Sequence, residues 1–124
     1  MTQVASEHLE QVAFARWLTI KKIPFFAIPN GTYLAGTQMQ RVKQMAKLKA
    51  EGFKAGVADL AILLPNKIVF IEMKRTKGGV VSEHQIEWLQ LFNTFSYCEA
   101  HVAKGADHAI KIISDIISNL KRKD

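Results

Sequence analysis

The sequence predicts a mixed α/β fold with the element order α-β-α-β-β-α-β-α. Three observations carry that expectation: helical and strand periodicities alternate along the chain, two β-branched-rich segments flank a Pro-Asn pair near its middle, and 124 residues have room for one core. The expected organisation is therefore a single domain spanning 1–124. With 48% hydrophobic and 23% charged residues, the composition suggests neither disorder nor a disulfide scaffold. Cys98 stands alone among apolar and aromatic neighbours, the setting of a buried, inert thiol.

The elements follow in order. From Ser6 to about Lys21, residues Leu9, Val12, Ala13, Phe14, Trp17, Leu18 and Ile20 recur at helical spacing, with Ser6 as N-cap. Ile23 to Ile28 reads as a short strand that Pro29, Asn30 and Gly31 end. Gln38 to Glu51 reads as a helix with Met39, Val42, Met45 and Leu48 on its inward face, stopped by Gly52. Val57–Leu64 and Lys67–Lys74 then form a β-hairpin around Pro65-Asn66. Gly78-Gly79 marks a loop over Arg75–Val81, and Ser82 opens a helix to about Phe95. A strand over Tyr97–Ala103 precedes a last helix, started by Gly105 and Asp107, whose stripe is Ile110, Ile113, Ile116, Ile117 and Leu120.

The hairpin carries the chemistry. If Pro65 and Asn66 form the turn, Leu64 pairs with Lys67 and the register sets Asp59 opposite Glu72. Facing like charges on neighbouring strands are destabilising, so two carboxylates there call for a cation or a proton between them. Mg²⁺ or Mn²⁺ suits such a site, since hard cations take oxygen ligands and usually engage one or two carboxylates plus substrate phosphates. Strand alternation places Lys74 on the face of Glu72, with Ile68 and Phe70 continuing that face into the core. An ammonium beside a metal-bound phosphate points to phosphodiester hydrolysis. Polar strand ends joined by a surface salt bridge are the alternative, and a one-residue slip in register would break the pairing.

Gly56-Val57-Ala58-Asp59-Leu60 followed by Glu72-Met73-Lys74 resembles the active-site signature of the PD-(D/E)XK nuclease superfamily, and more narrowly that of the VRR-NUC family. The likeness runs over nearly the whole chain, from Glu7, Gln11 and Trp17 on the first helix to Ser82-x-x-Gln85 and the closing strand and helix. It implies a restriction-endonuclease-like mixed β-sheet flanked by helices. It also implies that Asp59 and Glu72 are metal ligands, that Lys74 is the catalytic lysine, that Glu7 is a further acidic ligand and that Gln85 is a supporting polar group. The family typically has proline before the aspartate, where this chain has Ala58. Glu10, one turn from Glu7, is the alternative helix carboxylate; Glu7 is preferred because it forms an i, i+4 pair with Gln11. Equally, Ser82 and Gln85 fit a capping box, and Glu7 fits a favourable charge at a helix N-terminus. His8, His84, His101 and His108 are scattered without metal-ligand spacing, and read as structural or surface residues.

Seventeen Lys and Arg against eleven Asp and Glu give a net charge of +6, which favours an anionic partner such as nucleic acid. Arg41, Lys43, Lys47, Lys49 and Lys54 cluster around the second helix, and Arg75 and Lys77 follow the catalytic lysine; all seven are candidate DNA-phosphate contacts, with a solvated helix face as the alternative for the first group. Members of the VRR-NUC family that exist as bare domains resemble Holliday-junction resolvases in size and basic character, which implies a homodimer on branched DNA. The Ile110–Leu120 stretch is a candidate interface, although core packing explains it as well. A restriction-type or repair nuclease on other DNA forms, and a catalytically silent DNA-binding module, are the competing readings. No apolar run approaches the ~20 residues that cross a bilayer, and Met1–Glu10 carries no signal pattern, so the expected location is cytoplasmic.

Overall fold

The computed structural model describes residues 3–29 and 34–122. Asn30 and Gly31, read above as part of the first strand's end, and the tail residues Lys123 and Asp124 lie outside them. The elements are α1 (Glu7–Ile20), β1 (Phe25–Ala27), α2 (Gln38–Ala50), β2 (Leu60–Leu64), β3 (Lys67–Lys74), α3 (Glu83–Phe92), β4 (Cys98–Lys104) and α4 (Ala106–Arg122), in the expected order. They build one four-stranded sheet in the order β1-β2-β3-β4, antiparallel except for the parallel β3–β4 pair.

Local chemistry sets the boundaries. Ser6, Thr37 and Ser82 each cap a helix by accepting an amide of the first turn. Helix α3 ends at Phe92, three residues short of expectation. The Asn93 side chain leaves the helix to accept the Ala100 amide at 2.8 Å and donate to the Ala100 carbonyl at 3.1 Å, stitching the helix exit to β4. In the hairpin turn Asn66 takes φ 60° after a proline, the left-handed position that a type II turn requires and asparagine tolerates. That turn gives the predicted register, Leu64 with Lys67 through Leu60 with Ile71.

The sheet's two faces are covered unequally. Leu60, Ile62, Val69, Ile71 and Met73 are buried against Phe14 and Leu18 of α1 and Ala109, Ile113 and Ile116 of α4, forming the main core. The opposite face carries only α3, anchored by Phe92 stacked on Phe70 with centroids 3.8 Å apart. Phe70 and Ile68 are therefore half-buried and do not lead into the main core as expected, because the odd-numbered residues of β3 face it. The isoleucine stripe of α4 is core: Ile113 and Ile116 are buried, and Ile110, Ile117 and Leu120 pack against them.

Helix α2 departs from expectation in packing. None of its residues is buried, and Met39 and Val42, expected to face inward, are exposed by 70% and 62%. The sheet face beside α3 is not covered by α2 either, since Phe26 and Leu63 stay exposed there.

Candidate active site

The site lies where the hairpin opens. Strand β2 begins at Leu60 and not at Val57, and the Asp59 amide donates to the Ile71 carbonyl at 3.1 Å, so the ladder shifts by one residue and Asp59 is not the direct strand partner of Glu72 that the register predicted. The Asp59 side chain turns across to β3, where its Oδ2 accepts the Met73 amide at 2.7 Å. Fixed there, it neighbours Glu72, which is 2% exposed. Sequence reasoning had no signal for the Met73 amide, since a backbone donor has no residue identity.

Glu72 has two differently used oxygens. Oε2 accepts from Gln85 Nε2 at 3.1 Å and lies 3.5 Å from Lys74 Nζ. Oε1 is buried with no hydrogen-bond donor. Burial, and then the charge of Asp59, push the Glu72 carboxyl up to about 8 against an ordinary 4.5, despite the opposing pull of Lys74. Burial also raises Asp59, against the lowering effects of the Met73 amide and Lys74. The electrostatics of the pair call for a proton or a cation between the two carboxyls. A hard divalent cation fits that donor set: two adjacent carboxylates, with one buried oxygen lacking any donor. No group of three His, Cys, Asp or Glu side chains that could hold a metal ion gathers among the described residues, and Glu7 does not join Asp59 and Glu72 in one.

Lys74 is buried to 6% exposure, and its ammonium sits between Glu72 and Glu7 Oε1, the latter at 3.8 Å. Glu7 thus enters the site through the lysine. Glu10 serves elsewhere: its Oε1 accepts the Ala106 amide at 3.1 Å and caps α4. Gln85 resolves two alternatives together. Its Oε1 accepts the Ser82 amide at 2.8 Å, completing the capping box, while its Nε2 holds Glu72. One primary amide does both because its two ends have opposite polarity.

Two glycines fix these parts. Gly56, at φ 79°, lies so close to α3 that an added Cβ would stand 2.7 Å from His84 Cβ and 3.1 Å from the Gln85 amide. At Gly79 an added Cβ would stand 3.0 Å from Lys74 Cβ, so the Arg75–Val81 loop folds back onto the lysine's stem. The Gly-Val-x-Asp pattern contained the first of these signals; nothing in the sequence marked the second.

The seven candidate phosphate contacts, Arg41, Lys43, Lys47, Lys49, Lys54, Arg75 and Lys77, are all exposed, and none forms an ion pair among the described residues. Arg75 donates to the Gly78 carbonyl at 3.3 Å, bracing its own loop. Of the histidines, His101 binds Glu99 at 2.7 Å, His108 accepts the Lys104 amide at 2.9 Å, and neither His8 nor His84 is in contact with the carboxylate pair. No helix among the described residues is long and apolar enough to cross a membrane.

No match was found among curated proteins. Among solved structures, a VRR_NUC domain protein superposes with a TM-score of 0.68 at 27% identity, covering 94% of this chain and 92% of that one. That neighbour shares the four-stranded mixed sheet and its flanking helices. The family model for the VRR-NUC domain matches residues 5–107, a span that contains Glu7, Asp59, Glu72, Lys74 and Gln85. Since the match covers far more than half of the sequence, the chain belongs to the VRR-NUC family and carries a nuclease-type domain.

Proposed function

We propose that this protein is a Mg²⁺- or Mn²⁺-dependent deoxyribonuclease, one domain over 1–124, that cuts branched DNA as a homodimer. The observation that carries the reading is Glu72 Oε1, buried without a donor beside Asp59 and a buried lysine. Asp59 and Glu72 would hold the cation, which supplies Lewis-acid stabilisation of the phosphate and a bound water of lowered pKa. Lys74 Nζ, steered by Glu72 and Glu7, orients the attacking water and offsets the negative charge that develops on the phosphate. Gln85 keeps Glu72 Oε2 engaged, leaving Oε1 turned to the ligand position. Arg75 and Lys77, on the loop that leaves Lys74, and the cations of α2 supply phosphate contacts.

Branched DNA and the homodimer rest on the basic character of the chain and on the fit of a two-fold pair to a two-fold substrate. The α4 isoleucines lie in the core, so the proposed dimer uses another surface.

The test is cleavage of linear, flapped and four-way DNA with Mg²⁺, Mn²⁺ or chelator, together with calorimetric titration of Mn²⁺. Metal-dependent cutting is expected, fastest on the four-way form. Lys74→Ala should lower the rate by at least about a hundredfold while retaining Mn²⁺ binding and the circular dichroism of the fold; Asp59→Ala should abolish that binding. No cutting of any form with either metal would overturn the reading.

A further inference from the structure

Helix α2 is an excursion from the active-site rim. The Ile28 amide donates to the Asp59 carbonyl at 2.8 Å, so the stretch that contains α2 both leaves and rejoins the sheet beside Asp59. Its return is pinned by the Trp88 indole donating to the Ala55 carbonyl at 3.1 Å and by the close approach of Gly56 to α3. Met39 and Val42, spaced i, i+3, share a face and are open to solvent. Val42 also lines a shallow groove of about 470 Å³ together with Leu34, Gln38, Arg41 and Met45.

Charge selects the occupant. The helix carries Arg41, Lys43, Lys47 and Lys49 and no acidic residue from Gln38 to Ala50. A second copy of this helix would bring like charges together, whereas a polyanion neutralises them. An apolar pair framed by cations matches proteins that seat apolar wedges between base steps while basic side chains hold the flanking phosphates. Duplex interiors resist such wedging because it costs stacking, and the cost is least where strands already part.

We propose that Met39 and Val42 form an apolar wedge that engages unstacked bases at a DNA branch point, with α2's cations on the adjoining phosphates. This rests on the nuclease reading only for its substrate class, because the wedge acts in binding. It makes α2 a specificity element, separate from the residues that cut.

The test uses a four-way junction and a linear duplex, each carrying 2-aminopurine, at the branch point in the junction and mid-duplex in the linear form, with chelator present so that no cleavage occurs. Binding of the full chain should raise junction fluorescence several-fold and leave the duplex signal nearly unchanged. The variant Met39→Gln/Val42→Thr keeps charge and approximate side-chain shape at exposed positions; it should lose the rise and the junction preference while keeping duplex affinity. No DNA binding, no rise with wild-type protein at saturation, or an equal rise with the variant would each overturn the wedge. A dimeric wild type whose variant is monomeric and binds junctions poorly would also overturn it, assigning the face to a second copy. A fluorescence rise without Mg²⁺-dependent cutting would instead leave the wedge standing and remove the nuclease activity.

Discussion

A carboxyl held near 8 in a folded protein has a thermodynamic consequence. Glu72 keeps its proton in the native state up to about 8, while in the unfolded chain it loses it near 4.5. Between those values the folded state binds more protons, so stability falls as pH rises and levels off above the upper value. The raised Asp59 acts in the same direction. The melting temperature of metal-free protein should accordingly decline across this window, and Glu72→Gln should remove much of the decline. Scanning calorimetry at several pH values decides it, and a melting temperature that climbs through the window would contradict an acid buried at this position. The sequence brought the two carboxylates to the same end of the hairpin, because a two-residue turn fixes which residues of the strands oppose each other, although Asp59 falls just before β2, where the ladder shifts. Which oxygen stays free was not legible there, since that depends on where Gln85 and the Met73 amide lie in space.

Helix α3 and the loop before β2 act as one unit at the scale of elements. Gly56 lets the loop touch the first turn of α3, and the same turn presents Gln85 to Glu72. In Gly56→Ala, a left-handed φ and contact with His84 and Gln85 combine, so α3 must shift or the loop must lift. The expected loss is about 1–3 kcal/mol, accompanied by a marked drop in activity. Gly52→Ala is the control: its φ of 104° is strained too, but nothing lies within 4 Å of the added carbon. Its loss should be confined to stability, about 1–2 kcal/mol, with the cleavage rate preserved. Urea denaturation beside a cleavage assay separates the two, and equal effects on activity would detach Gly56 from the site.

Across the whole molecule the net charge is +6, and α2 contributes Arg41, Lys43, Lys47 and Lys49, all of them exposed. If this helix contacts phosphates, log affinity for DNA should fall linearly with log salt, and each phosphate contact removed should flatten the slope by about 0.9 for a duplex. Reversing Arg41, Lys43 and Lys47 to Glu tests that by fluorescence anisotropy over a salt series. An unchanged slope would take α2 out of the DNA interface and leave Asp59, Glu72 and Lys74 where they are.

Element order and hairpin register were determined by the sequence alone, because each depends on local periodicity and one turn; the ladder shifts at Asp59, so its place beside Glu72 was set by the Met73 amide and not by strand pairing. Packing was not determined locally either. An amphipathic stripe states that a face is apolar and does not say what covers it: the stripe of α4 was core, while that of α2 was left open. The choice between Glu7 and Glu10 was likewise tertiary. Both lie one turn apart on α1, and only the arrival of Lys74 beside one and the α4 N-terminus beside the other distinguishes their roles. Sheet-face occupancy and long-range amide partners are set by how the elements pack, and a one-dimensional pattern carries no record of that.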